Sequence, residues 1–328
     1  MERDYGILEI QDLSVSFSVA GTKTHVLDEI SFGVPKGESI GIVGESGCGK
    51  TTTLRAILNV LPGNAEVEKG KILFNGKNIF DMTDTELQKF RRTGAGMIFQ
   101  DPSSALNPVF TIEDQFLTTL KYANKGKNIP KKDLIAKSIQ ALNDVSLADP
   151  ERILKSYPFQ LSGGMRQRVC IAMTLAADRH LLLADEPGTA LDVTIQDQIL
   201  RLIKKLVDER HLSVVMVSHS LGVIRQITTF VNIMYAGTIV ESGGTREVFD
   251  NPKHPYTVAL INCLPKLTGK GIAEGIPGRL PDYSQPPKGC RFAPRCRHAT
   301  EECNSSKPPK RKLEENHWVS CYYAGEVV

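Results

Sequence analysis

The fold of this chain turns on "GESGCGKT", residues 44–51. The octet fits G-x-x-x-x-G-K-[ST]. It follows the strand-like "ESIGIVG" and precedes the helical "TTLRAILNVL", the strand, loop and helix context that a phosphate cradle requires. Gly44, Gly47 and Gly49 let backbone N–H groups converge on phosphates, Lys50 reaches the β- and γ-phosphates, and the Thr51 hydroxyl is a ligand for Mg²⁺. Ser46, Cys48 and Thr52 complete the expected nucleotide contacts, with the Cys48 side chain expected to point away.

Around the loop, residues from about 6 to 100 alternate short strands with helices, as in "ILEIQDLSVSF" and "GAGMIFQ", each bounded by Gly or Pro turn signals. This is α/β patterning. From 103 the strand signal fades, and "TIEDQFLTTLKYA" and "KKDLIAKSIQALNDVSL" carry apolar residues at helical spacing, which predicts a helical insert. Alternation returns in "HLLLADEP", "TIQDQILRLIKKLVDERH", "SVVMVSHS" and "VNIMYAGTIVESG". The division expected is a nucleotide-binding α/β core over 1–102 and 176–249, a helical subdomain over 103–175, and a Cys-rich extension over 250–328. That last segment has little periodicity and too little apolar content to build a large core alone.

A phosphate cradle needs a metal holder and a group that orients water. In "LLLADE" the apolar run delivers Asp185 toward Mg²⁺, and Glu186 beside it is placed to activate the attacking water. Gln100 ends another strand and suits the metal or the water, and His219 follows "VVMVS" as a donor to the γ-phosphate. Both sit at strand ends, where open α/β sheets bind ligands. Lys50, Glu186, His219 and Gln100 form the expected catalytic set, with Thr51, Gln100 and Asp185 on Mg²⁺.

A second anion cradle, "LSGGMRQR" at 161–168, has no counterpart role in a chain that already owns one. The ordered set "GESGCGKT", Gln100, "LSGGMRQR", "LLLADEP", "ALD" at 190–192 and "SH" at 218–219 resembles the ATP-binding cassette (ABC) ATPases over the whole chain. The resemblance implies a P-loop NTPase fold with a RecA-like core and an antiparallel β-subdomain. It also implies that Ser162, Gly163 and Gly164 open a helix whose dipole and amides meet the γ-phosphate held by a second cassette. Asp192 is expected near the same seam, and Phe17 stands where the family has an adenine-stacking aromatic. Gly188 departs from the family's usual Ser or Thr after "DEP", and Ser220 from its frequent Asp after the histidine.

The tail narrows the resemblance. "NPKHPYTVALINCLP" at 251–265 and "GCRFAPRCRHATEEC" are similar to the C-terminal extension of ATPase subunits of dipeptide, oligopeptide and nickel importers. Cys290, Cys296, Cys303 and Cys321 are spaced C-x5-C-x6-C-x17-C, unlike the paired C-x2-C of zinc ribbons. Four soft thiolates suit a [4Fe–4S] cluster or tetrahedral Zn²⁺. The resemblance favours the cluster, with zinc or free thiols the alternatives and His298 and His317 either reserve ligands or surface residues. Cys170 and Cys263 read as buried thiols.

The function implied is ATP hydrolysis, with Mg²⁺, driving uptake of dipeptides or oligopeptides. The partners implied are an identical or paralogous second cassette, two membrane permeases and an extracytoplasmic peptide-binding protein. Nickel or another small solute is the alternative cargo. No apolar stretch reaches the roughly 18 residues of a membrane span, and the N-terminus lacks signal-peptide features, so a peripheral place on the cytoplasmic membrane face is expected. A net charge of +3 is too small and dispersed to imply nucleic acid, and "KPPKRK" at 307–312 reads as a solvated loop. A soluble repair or translation cassette would carry a long coiled-coil insert or two cassettes, and neither is present. A GTPase would need N-K-x-D, but "NKGK" at 124–127 lacks the acid.

Overall fold

A computed structural model describes residues 6–189, 191–263 and 275–326. Ala190 of "ALD" and residues 264–265 of the tail motif lie outside them. The chain separates into two compact units, one of 1–81 with 216–328 and the other of 82–215.

In the first unit, Leu8–Val19 is the centre of an antiparallel sheet ordered Thr22–Val34, Leu8–Val19, Ala65–Phe74 and Lys77–Asn78. Leu8, Ile10, Leu13 and Val15 of "LEIQDLSVSF" lie inside, with 0–1% exposure, and a register shift between Ile10 and Leu13 takes up the odd step in the alternation. A second set of strands surrounds Ser39–Val43, which is buried at every residue, as a two-face-covered parallel strand requires. It runs parallel to Phe230–Tyr235 in the register Ile40↔Phe230, and that strand turns back antiparallel into Thr238–Gly244. The helix Lys50–Ile57 follows the phosphate loop and buries Leu54, Ala56 and Ile57.

The tail is not held by a core of its own. Its hairpin Lys310–Glu314 and His317–Ser320 adds to the edge of Thr238–Gly244, with Glu241 opposite Val319. His317 is wholly buried there, its Nε2 2.7 Å from Glu241 Oε1. The surface reading of His317 is therefore corrected, because a strand partner and a buried carboxylate enclose it. Glu241 also accepts the N–H groups of Lys253 at 2.8 Å and His254 at 3.0 Å, which fixes the start of the extension to the same strand. Cys263 caps the helix Pro255–Asn262 and is half-buried rather than buried.

The second unit pairs Ala95–Ile98 in parallel with Leu181–Asp185 and carries the helices Ile112–Ala123, Lys131–Asp144, Gly163–Leu175 and Val193–Arg210. Thr111 and Asp114 form a capping box that starts the first of these, and Phe116 and Leu120 face its core. Cys170 is buried in the third, where burial pushes its thiol up to about 12.

Candidate nucleotide site

The phosphate loop, residues 44–51, lies in the first unit. Lys50 is 5% exposed, and its Nζ donates to the carbonyls of Gly44 at 2.9 Å and Glu45 at 3.0 Å, so the ammonium is already threaded through the loop. Gly49 caps the following helix at φ +107°, a conformation that side chains rarely adopt, and a Cβ there would lie 2.7 Å from Leu27 Cδ2. Cys48 is fully buried, and burial pushes its thiol up to about 11. Ser46 and Gly47 are exposed. Phe17 is half-buried on Leu8–Val19, paired with Thr24, whose hydroxyl donates to the Phe17 carbonyl at 2.9 Å. His219 is exposed just after the strand Ser213–Ser218, and Ser220 N–H donates to Ser218 Oγ at 2.9 Å.

The acids lie in the second unit. Every residue of Leu181–Asp185 is buried, and Asp185, at 5% exposure, ends it. A carboxylate there is a hard oxygen donor of the kind Mg²⁺ takes. Glu186, just past the end of the strand, has φ +46°, a strained position for a non-glycine residue. Its Oε2 accepts from Gln100 Nε2 at 3.2 Å and from Thr189 Oγ1 at 3.1 Å. Thr189 has no role in the motif read from sequence and is found only through this contact. Gly188, the departure from the family pattern, has a packing cause: a Cβ would lie 2.8 Å from Gln196 Cγ.

The signature lies in the same unit. Ser162 is exposed and caps Gly163–Leu175, accepting Met165 N–H at 3.3 Å, so the helix start lies open at its positive end. A Cβ on Gly164 would come within 2.8 Å of Ile195 Cγ2, so glycine lets this helix start approach Val193–Arg210. Asp192 caps that second helix by accepting Ile195 N–H at 3.0 Å, and Val193 beside it is 82% exposed.

The tail cysteines behave differently. Cys290, Cys296, Cys303 and Cys321 line one cavity of about 20 Å³, room for about one water, walled by Phe292 and Ala293. Burial pushes the Cys290 thiol up to about 11 and raises Cys296 and Cys321. Among the described residues no three His, Cys, Asp or Glu side chains form a group able to hold a metal ion. The donor atoms expected for a [4Fe–4S] cluster or Zn²⁺ thus line one cavity without forming such a group among the described residues. His298 borders the cavity as an exposed residue.

Comparison with known proteins decides the family. Residues 27–189 match the model of the ABC transporter family, and residues 240–303 match that of the oligopeptide/dipeptide transporter C-terminal region. The chain belongs to the ABC transporter ATPases of the dipeptide/oligopeptide importer family. It is 42% identical to the dipeptide transport ATP-binding protein DppD of Bacillus subtilis, over 96% of this chain and 94% of that one. It is 40% identical to the oligopeptide transport ATP-binding protein OppD of Escherichia coli, over 96% and 93%. Among solved structures it is similar to the dimeric, post-hydrolysis ATP-binding cassette MJ0796 bound to ADP and Pi. The TM-score is 0.65 and the identity 27%, covering 73% of this chain and 99% of that one. Membership of this ABC family makes the chain an ATPase and makes ATP and Mg²⁺ its expected ligands.

Proposed function

We propose that this chain is an ATP-hydrolysing subunit of an importer of dipeptides or oligopeptides, working as one of two cassettes that hold ATP between them. The names of its relatives support peptide cargo; nickel or another small solute is the competing cargo. The observation that carries the two-cassette reading is the second anion cradle. The chain owns a loop with Lys50 in place, and also an exposed helix start at Ser162 that suits a phosphate presented by another molecule.

The roles follow from the chemistry of each group. Phe17 is the stacking platform for adenine; Gly44, Ser46, Gly47, Cys48, Gly49, Lys50, Thr51 and Thr52 hold the phosphates. Thr51, Asp185 and Gln100 hold Mg²⁺, which supplies charge neutralisation on the phosphate oxygens. Glu186 orients and deprotonates the water, and His219 donates to the γ-phosphate. Ser162, Gly163, Gly164 and Asp192 serve the partner's nucleotide. In functional terms, residues 1–102 and 176–249 act as the nucleotide-binding core, 103–175 as the helical subdomain and 250–328 as the extension.

The partners we propose are an identical or paralogous cassette, two permeases and a peptide-binding protein outside the membrane, with this chain on the cytoplasmic face. Among the described residues no helix is long and apolar enough to cross a membrane. Support for a permease surface comes from exposed apolar side chains in the second unit: Phe99 (46%), Val109 (71%), Phe110 (51%) and Phe159 (68%). For the tail, the finer proposal remains a [4Fe–4S] cluster, with Zn²⁺ as its alternative, supported by donor type and convergence alone. Iron and zinc content after anaerobic purification tests it.

The test of the main reading is sedimentation of the Glu186→Gln chain with its partner cassette and saturating Mg-ATP. A stable ATP-bound cassette dimer is expected, and a chain that stays monomeric rejects the shared site.

A further inference from the structure

The C-terminal region returns to the phosphate loop. The Tyr283 hydroxyl donates to the Gly47 carbonyl at 2.8 Å, and the Tyr283 carbonyl accepts His25 N–H at 2.8 Å, which ties this residue to the strand Thr22–Val34. Arg295 grips Glu45, the second residue of the loop. Its Nη1 lies 2.9 Å from Oε1 and 3.0 Å from Oε2. The guanidinium is enclosed, its side chain 4% exposed, and it also donates to the carbonyls of Ile276 at 2.9 Å and Pro277 at 2.8 Å. Its carbon lies 5.7 Å from the Tyr235 ring centroid. The Tyr256 hydroxyl accepts Glu45 N–H at 3.1 Å.

These contacts bear on phosphate binding for two reasons. A glutamate in a loop that receives a polyanion adds a repelling charge, and its carboxylate is a rival for the Lys50 ammonium, which already contacts the Glu45 carbonyl. Arg295 cancels that charge and draws the carboxylate to itself through enclosed, charge-assisted bonds. In addition, a peptide unit is planar with its C=O and N–H opposed, so a hydroxyl holding the Gly47 carbonyl sets the direction of the Cys48 N–H, which closes the loop's turn on the Glu45 carbonyl at 3.2 Å.

We propose that Arg295 and Tyr283 are positioning residues of the ATP site, through which the C-terminal region holds the phosphate loop in its binding form. Arg295 acts by neutralising and anchoring Glu45, and Tyr283 by fixing the Gly47 peptide. The proposal rests on reading Gly44–Thr51 as the triphosphate site.

Titration of the full chain with a fluorescent ATP analogue and Mg²⁺ tests it, alongside the thermal midpoint of each nucleotide-free variant. Arg295→Gln weakens binding about tenfold or more, and adding Glu45→Gln restores most of the loss, because the uncompensated carboxylate is gone. Tyr283→Phe weakens binding about two- to tenfold with the midpoint nearly unchanged. Should Arg295→Gln fail to fold, the Tyr283→Phe titration decides. Parental affinity in Tyr283→Phe and Arg295→Gln overturns the proposal, as does a double variant that binds no better than Arg295→Gln. Lys50→Ala separates the two levels. If it binds ATP like the parent, the site reading itself fails; if it loses binding while the others keep theirs, only the role of the C-terminal region fails.

Discussion

Gln100 Nε2 donates to Glu186 Oε2 at 3.2 Å, across two parallel strands and 86 positions of sequence. The register explains the meeting: Met97 faces Leu183 and Ile98 faces Ala184, so residues two places beyond come level at the strand ends. Glu186 is therefore held by an amide and by the Thr189 hydroxyl.

That arrangement predicts unequal effects. Glu186→Gln removes the base and is expected to lower turnover about 10²- to 10⁴-fold while ATP still binds. Thr189→Ala leaves the base but frees it on one side, so a smaller loss, about tenfold, is expected with KM little changed. Single-turnover hydrolysis with radiolabelled ATP measures both. A Thr189→Ala chain as slow as Glu186→Gln would mean that orientation, not proton transfer, is what Glu186 supplies.

Ser162 has two duties that substitution can separate. Loss of its cap in Ser162→Ala is expected to cost about 1 kcal/mol of stability. A contact in trans adds a second effect: ATP-driven association of cassettes is weakened, while nucleotide affinity of the single chain stays at the parental value. Fluorescent-nucleotide titration and sedimentation, run on one preparation, read the two quantities. A fall in single-chain affinity would place the serine at its own protomer's nucleotide.

Cys48 lies inside the loop yet is predicted to be chemically silent. Burial raises its thiol from 9.0 to about 11, so at neutral pH its thiolate fraction is roughly a hundredfold below that of an ordinary thiol. Mass-spectrometric mapping after brief maleimide treatment at pH 7.5 should find Cys48 and Cys170 unmodified and Cys263 labelled. Rapid labelling of Cys48 would show that the loop opens on the time scale of the reaction.

His254 predicts an acid-side loss of stability. It is wholly buried, and burial pushes it down to about 4 from 6.5, with the Glu241 carboxylate opposing the shift. Between those values the unfolded chain takes up a proton that the folded chain does not. The contribution is therefore complete above pH 6.5 and is lost as pH falls toward 4, at up to about 1.4 kcal/mol per pH unit. His254 Nδ1 accepts Tyr256 N–H at 3.0 Å, a cap that asparagine reproduces, so His254→Asn is the suitable variant. Denaturant midpoints between pH 7.5 and 5 should fall less steeply in the variant than in the parent. Equal slopes would assign the acid sensitivity to other groups.

Much of the architecture was readable locally. Ser162 and Asp192 are residue types that cap helices, and both do so, Ser162 at the helix start that the family resemblance implied. The apolar runs around 39–43 and 181–185 are buried strands, as their composition requires. His317 was not readable: "NHWVS" is too short for alternation to show a buried face, and the carboxylate that encloses it, Glu241, is 76 positions away. The tail cysteines were readable as a set but not as a geometry, because spacing along a loop says nothing of the room between thiols.

The amino-acid order alone determined the phosphate loop, the helix starts and the strand runs, since each depends on neighbours within a few residues, where propensity and spacing act. Tertiary structure alone decided that Gln100 meets Glu186, that the tail hairpin closes onto Thr238–Gly244, and that Arg295 reaches Glu45 from 250 positions away. Those outcomes rest on strand register and on the burial of opposite charges, which exist only once distant segments are packed together.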